Sequence, residues 1–171
     1  MPLQLIFRDT NPHVAKAVAT AFEGVTQLDA ACASIFDAAP ADAIISPANS
    51  HGWMDGGIDL LYVRRWGWHL QDANRRACAQ QPEGHLPVGR AIVLETGGSD
   101  VPWLISAPTM FRPMPVPHTD NAYLAFRAAL VVARERRLGR VLCPGLATLT
   151  GGMPPPVSAA QMRRAWDDVM R

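Results

Sequence analysis

Charge excess, aromatic rings and paired cysteines are all scarce in this sequence. Sixteen basic residues face fifteen acidic ones, for a net charge of +1, which argues against general polyanion binding because nucleic-acid affinity rests on a clear basic excess. Any anion is then held by a local site. The three cysteines, Cys32, Cys78 and Cys143, are odd in number and form no C-x-x-C pair. They are expected as buried, reduced thiols of a cytosolic protein, and "VLCPG" supplies no base to make Cys143 a nucleophile. The five histidines, 13, 51, 69, 85 and 118, show no H-E-x-x-H spacing, so no metal is expected. No P-loop motif occurs, which disfavours nucleotide hydrolysis by a Walker lysine, and no cofactor is expected. The opening "MPLQLIFRDT" is too short and wrongly flanked for a signal peptide, and no later run approaches a membrane span, so a cytoplasmic setting is the default. Repeats, low-complexity tracts and charged tails are also missing; residues 1–171 are expected to form one domain.

Apolar runs and helical periodicities alternate along the chain. "LQLIF" (residues 3–7) reads as a strand. A helix follows, with Asn11 as N-cap and Pro12 at its first position, where a missing N–H costs little. "GVTQL" (24–28) is a second, short strand and "DAIIS" (42–46) a stronger one. Ile58, Leu61, Tyr62, Trp66, His69 and Leu70 recur near helical spacing and predict one helix with a single apolar face. "VGRAIVLET" and "PWLISAP" read as two strands around the turn "GGSD". A helix capped by Thr119 or Asp120, the buried strand "GRVLCPG" and a last helix capped by Ser158 complete the pattern. This order predicts an α/β/α sandwich on a mixed, largely parallel sheet, whose ligands bind beyond the carboxyl ends of the strands.

Three loops leave those ends. "SPANSHGWMDGGID" (46–59) combines glycines with Asn49, Asp55 and Asp59. If a helix starts near Gly57, its free N–H groups suit a phosphate, Asn49 suits a sugar hydroxyl, and Asp59 suits a hydroxyl or a water. Equally, Gly56 and Gly57 shape only a turn, with Asp55 as its cap and Asp59 favouring the helix dipole. "PGLATLTGGMPPP" offers backbone N–H groups for an anion nest, or serves as a plain connection stiffened by prolines. In "APTMFRPMPVPHTDN", Met110, Phe111 and Met114 are expected to seal the edge of the core. The run "RERRLGR" reads as a solvated helix end.

"DAIISPANSHGWMDGGID" resembles the signature unit of the macrodomain family: an apolar strand, an asparagine-rich turn, then a glycine run closing in G-G-[VI]-D. "LPVGRAIVLETGG…WLISAPT" resembles the family's strand pair, and "VLCPGLATLTGGM" stands where its second loop falls. The resemblance covers residues 41 onward. It implies a site for ADP-ribose or an ADP-ribosylated protein or small molecule. Asn49 is implied at the distal ribose, with the backbone of Gly56, Gly57 and Ile58 along ribose and diphosphate. Asp59 matches the aspartate that some hydrolytic members hold near the anomeric carbon, and Ala147, Thr148, Leu149, Thr150 and Gly151 form the diphosphate loop. "ATLTGG" departs from the family's usual S-T-G-[IV]-[YF]-G, with Leu149 at a glycine position and Gly151 at the aromatic one. Asp29 is the candidate for reading the adenine amino group.

Three functions compete. The first is binding of ADP-ribose with hydrolysis of its linkage through Asp59 and Asn49. The others are a non-catalytic reader of ADP-ribose or another nucleotide, and a structural relative with a degenerate second loop.

Overall fold

The computed structural model describes residues 2–171. The elements in chain order are β1 (Gln4–Asp9), α1 (Pro12–Ala21), β2 (Leu28–Cys32), a short 3-10 turn (Ile35–Ala38), β3 (Ala43–Ser46), α2 (Gly57–Trp66), α3 (His69–Ala79), β4 (Ile92–Glu95), β5 (Trp103–Ser106), α4 (Asn121–Glu135), β6 (Arg140–Cys143) and α5 (Pro155–Val169). The sheet runs β2-β1-β6-β3-β5-β4. All its pairings are parallel except β4 on β5, so one hairpin-like pair makes a parallel sheet mixed, as the sequence predicts.

The sheet buries apolar side chains on both faces, as helix-covered parallel strands must. Along β3 the residues alternate. Ala43 and Ile45 join a core with Phe7, Phe126 and Trp166 under α1, α4 and α5, while Ile44 joins Tyr62, Leu70 and Leu104 under α2 and α3. These are the three layers of an α/β/α sandwich.

Three elements depart from expectation. β2 lies four residues later than "GVTQL", because Gly24 has a φ of 84° and turns the chain. The weakly apolar "LDAAC" then pairs with β1, Leu5 opposite Leu28; tertiary pairing overrides local propensity here. The single helix after the glycine loop is two, α2 and α3, broken at Gly67 (φ 115°). The break lets Tyr62 and Leu70 both bury fully, whereas Leu61 is left 43% exposed. Ser158 does not cap α5, which begins three residues earlier. Buried inside the helix, its hydroxyl donates to the Leu146 carbonyl at 2.6 Å. The cysteines are free, with Cys78 and Cys143 buried and Cys32 exposed.

Candidate functional site

Strands β1, β2, β3 and β6 deliver their carboxyl ends to one cleft of about 270 Å³. Its first wall is the loop after β3 and the start of α2. Asn49 organises this loop: its Oδ1 accepts from the N–H groups of His51 and Trp53, and its Nδ2 donates to the Trp53 carbonyl at 3.0 Å. Nδ2 carries a second N–H beyond that bond. Gly52, at φ 78°, lies so close to α3 that a Cβ would stand 2.8 Å from Arg75 N. α2 begins after Gly56 with no side-chain cap. Asp55 therefore does not serve as one, and the first-turn N–H groups of Gly57, Ile58 and Asp59 keep no internal acceptor. Such a helix start attracts anions.

Asp59 stands in that first turn, 6% exposed. The Ser46 hydroxyl donates to its Oδ1 at 2.6 Å. Burial pushes its carboxyl up to about 7, against the lowering effect of the Ser46 bond. A group titrating near neutrality is matched to accepting and releasing protons. Tyr62, one helical turn on, donates to the Ile45 carbonyl at 2.9 Å; burial first, and then Asp59, raise its own pKa. Burial likewise drives the Cys143 thiol far up, which removes it as a nucleophile.

The second wall is the loop after β6. Ala147 adopts φ 63°, the left-handed conformation that side chains disfavour by about 1–2 kcal/mol. Its carbonyl accepts from Met153 N at 2.9 Å, and Leu149 O accepts from Gly152 N at 3.1 Å. The N–H groups of Thr148, Leu149, Thr150 and Gly151 make no internal hydrogen bond among the described residues. The two walls approach closely: a Cβ on Gly57 would lie 3.8 Å from Leu149 Cδ2. Leu149 itself is 78% exposed at the rim.

Ten of the residues singled out from the sequence line this one cleft: Asn49, Gly56, Gly57, Ile58 and Asp59 on the first wall, and Ala147, Thr148, Leu149, Thr150 and Gly151 on the second. Asp29 does not. Exposed on edge strand β2, it forms an ion pair at 2.9 Å with Arg8, which does line the cleft, and the adjoining cleft wall is built from Ala33, Ser34 and Ile35. Trp53 lines the cleft, with the Arg75 guanidinium 3.5 Å above its ring, whereas Trp68 lies outside it. Of the three apolar residues singled out in the proline-rich loop, Met110 is buried but Phe111 and Met114 are exposed, and Phe111 packs edge-on against His51 and His85. Sequence reasoning missed Asp9. Its Oδ1 accepts from Asn11 N and its Oδ2 from Gly145 N, tying the end of β1 to the second loop. The signal was its position, a polar residue in the turn that ends a parallel strand. Ser46 was noticed only as the end of a strand.

A family model described as Macro domain matches residues 45–162. An uncharacterized protein of Aquifex aeolicus is 35% identical over 122 residues, covering 71% of this chain and 70% of its own. Among solved structures, the macrodomain of Mycobacterium tuberculosis DarG superposes with a TM-score of 0.65 at 23% identity, over 75% of this chain and 83% of that one. A mutant Oceanobacillus iheyensis macrodomain with ADPR does so at 0.64 and 19%, over 73% and 68%. These two structures share the fold, including the mixed sheet between helical layers.

Proposed function

The chain belongs to the Macro domain family, and from that premise we propose that its cleft holds ADP-ribose, or an ADP-ribosyl group on a modified protein or small molecule, and hydrolyses the link to that group. The observation that carries this reading is the pairing of two walls. Each presents a run of backbone N–H groups without internal acceptors, and a buried carboxyl titrating near 7 stands at the foot of one. Opposed N–H runs match the two charged phosphates of a diphosphate. The Oceanobacillus relative with ADPR supports the choice of ligand.

In this reading the second N–H of Asn49 holds a hydroxyl of the distal ribose, beside the anomeric carbon. Asp59 accepts a proton from a water as the water oxygen bonds to that carbon. The bond from the carbon to the modified group breaks with its electron pair on that group, which takes a proton from solvent. The N–H walls hold the diphosphate charge throughout. Proton transfer of this kind contributes about 10²–10⁴-fold.

The test combines binding and turnover. ADP-ribose, its phosphorylated relatives and NAD are screened by thermal shift. At 100-fold above Kd the bound ligand adds about 2.7 kcal/mol of stability. Release of ADP-ribose from a modified protein is then compared between wild type and Asp59→Ala. The expected result is a clear shift with ADP-ribose in both proteins and turnover about 10²–10⁴-fold lower in the variant. A shift without release in the wild type makes the protein a reader rather than a hydrolase, and no shift with any ligand overturns the reading altogether.

A further inference from the structure

Building on the hydrolytic reading above, we propose that Ser46 is the positioning residue of this cleft. Its hydroxyl holds one oxygen of Asp59 in both protonation states and leaves the other free to exchange a proton with the attacking water. Ser46 ends β3 and is wholly buried. It donates to Asp59 Oδ1 at 2.6 Å across 13 residues of sequence. Among the described residues Asp59 Oδ2 finds no hydrogen-bond partner, yet it is not one of the buried polar atoms left without one. It therefore keeps access to the cleft that Asp59 lines.

The choice of partner matters chemically. An arginine or lysine would hold the carboxyl ionised and weaken it as a base. A hydroxyl can donate to a carboxylate oxygen and to the carbonyl oxygen of the neutral acid alike, so the group stays oriented while its proton comes and goes. The titratable neighbour on the same helix is Tyr62, whose hydroxyl feels Asp59 and, beyond it, Cys143 on β6 and Asp9 at the end of β1. At this level β3 and β5 present serines, and α3 buries Leu70 and Asn74. Burial and the Ser46 hydroxyl are what set the Asp59 carboxyl, and among the described residues no arginine, lysine or histidine forms an ion pair with it.

The fold supplies its own control. Ser106 on β5 is the register partner of Ser46 and is equally buried, but its hydroxyl has no hydrogen-bond partner. Two serines thus sit side by side at two strand ends, and only one of them touches Asp59.

The experiment follows the side-chain carboxyl carbon of Asp59 by NMR through a pH titration of the ligand-free protein. Wild type, Ser46→Ala, Ser46→Thr and Ser106→Ala are compared, and the pH profile of ADP-ribose release is measured for each. Ser46→Ala is expected to move the Asp59 midpoint upward by about one unit and to move the acid limb of the rate profile with it. Ser46→Thr, which keeps the hydroxyl, and Ser106→Ala are expected to retain the wild-type midpoint. A Ser46→Ala midpoint unchanged from wild type, or an equal shift in Ser106→Ala, overturns the assignment. If the midpoint moves in Ser46→Ala alone but wild type releases no ADP-ribose, the hold on Asp59 stands and the hydrolytic reading falls.

Discussion

The loop at residues 47–56 runs into a helix whose first turn keeps its N–H groups free, whereas the loop at 144–153 runs into one that begins with prolines. Pro155 and Pro156 occupy the first two positions of α5, and proline has no N–H to offer. The next two donors, Val157 N and Ser158 N, turn back to Pro154 O. The first wall thus draws its donors from a helix terminus, and the second from the loop alone. In the first, the Asn49 side chain bonds its own turn, while Gly52 presses against α3 and Ser50 bonds the backbone of Met110 and Leu86. In the second, among the described residues, no side chain of the loop bonds its own turn; Asp9 and Ser158 grip the adjacent residues Gly145 and Leu146, and backbone bonds from Gly152 and Met153 close the rest. A helix start can present donors with little strain; a free-standing loop needs Ala147 forced to positive φ. The walls reach one chemistry by means that fail differently.

The largest effect expected lies in the charge buried behind the first wall. Asp59 has an ordinary carboxyl value of 3.8 when unfolded and about 7 when folded, so the folded state binds the extra proton between those limits. Its contribution to stability is full below pH 4, is lost as pH rises toward 7 and is flat above. The loss approaches about 4 kcal/mol, less whatever the α2 dipole returns to the carboxylate. Asp59→Asn keeps an oxygen for Ser46 and removes the titration. Urea unfolding at pH 5 and pH 8 therefore shows wild type weakening between the two and the variant staying level. Parallel behaviour of the two proteins would break the account of a desolvated carboxyl.

Next in size comes Gly52→Ala. Its Cβ meets the α3 backbone at 2.8 Å and sits at φ 78°, so strain and overpacking together cost about 3 kcal/mol. Because Arg75 rests on Trp53, the displaced α3 also lifts the aromatic from the cleft. Chemical denaturation reads the first effect, and weakened ADP-ribose binding reads the second. A fully stable variant would show that the first wall is not held by this contact.

The matching lesion in the second wall is Ser158→Ala. It strips the donor from the buried Leu146 carbonyl and costs about 1–3 kcal/mol. Hydrogen exchange at the bonded amides of this loop, Gly145, Gly152 and Met153, is expected to rise while Ser50, Gly52 and Met54 keep their protection. Equal loosening of both loops would show that the two walls do not rest on separate supports.

How much of this was legible in the sequence depends on the range of the interaction. "DAIIS" and "RVLC" are short, apolar at their centres and bounded by breakers, so β3 and β6 were readable. The strand partners Leu94 and Leu104 were readable from two such runs around "GGSD". The β3 loop was legible because a glycine run between a strand and a helix leaves a local mark. β2 was misplaced because "LDAAC" has little strand character of its own and is held by β1. The break at Gly67 was hidden because the apolar spacing continues across it. Asp9, Ser46 and Ser158 left the faintest marks: each is a common polar residue whose role rests on a partner distant in sequence. Asp29 misled for the converse reason, since an acidic residue near a ligand-bearing edge does not show which way its strand faces.

The smallest effect tests the second wall's strain directly. Ala147 holds φ 63° in a loop whose neighbours depend on it: its carbonyl accepts from Met153, and a Cβ on Gly151 would stand 2.6 Å from that carbonyl. Ala147→Gly relieves the left-handed penalty of about 1–2 kcal/mol, but glycine gives back part of it through its freer unfolded chain. A net gain of about 0.5–1 kcal/mol is expected in urea unfolding. ADP-ribose affinity is expected to change little, because the N–H groups of Thr148 to Gly151 stay where the loop's brackets put them. If stability falls instead, the positive φ is enforced by packing of the Ala147 methyl, which is 5% exposed. The second wall would then be held, like the first, by contacts of its own.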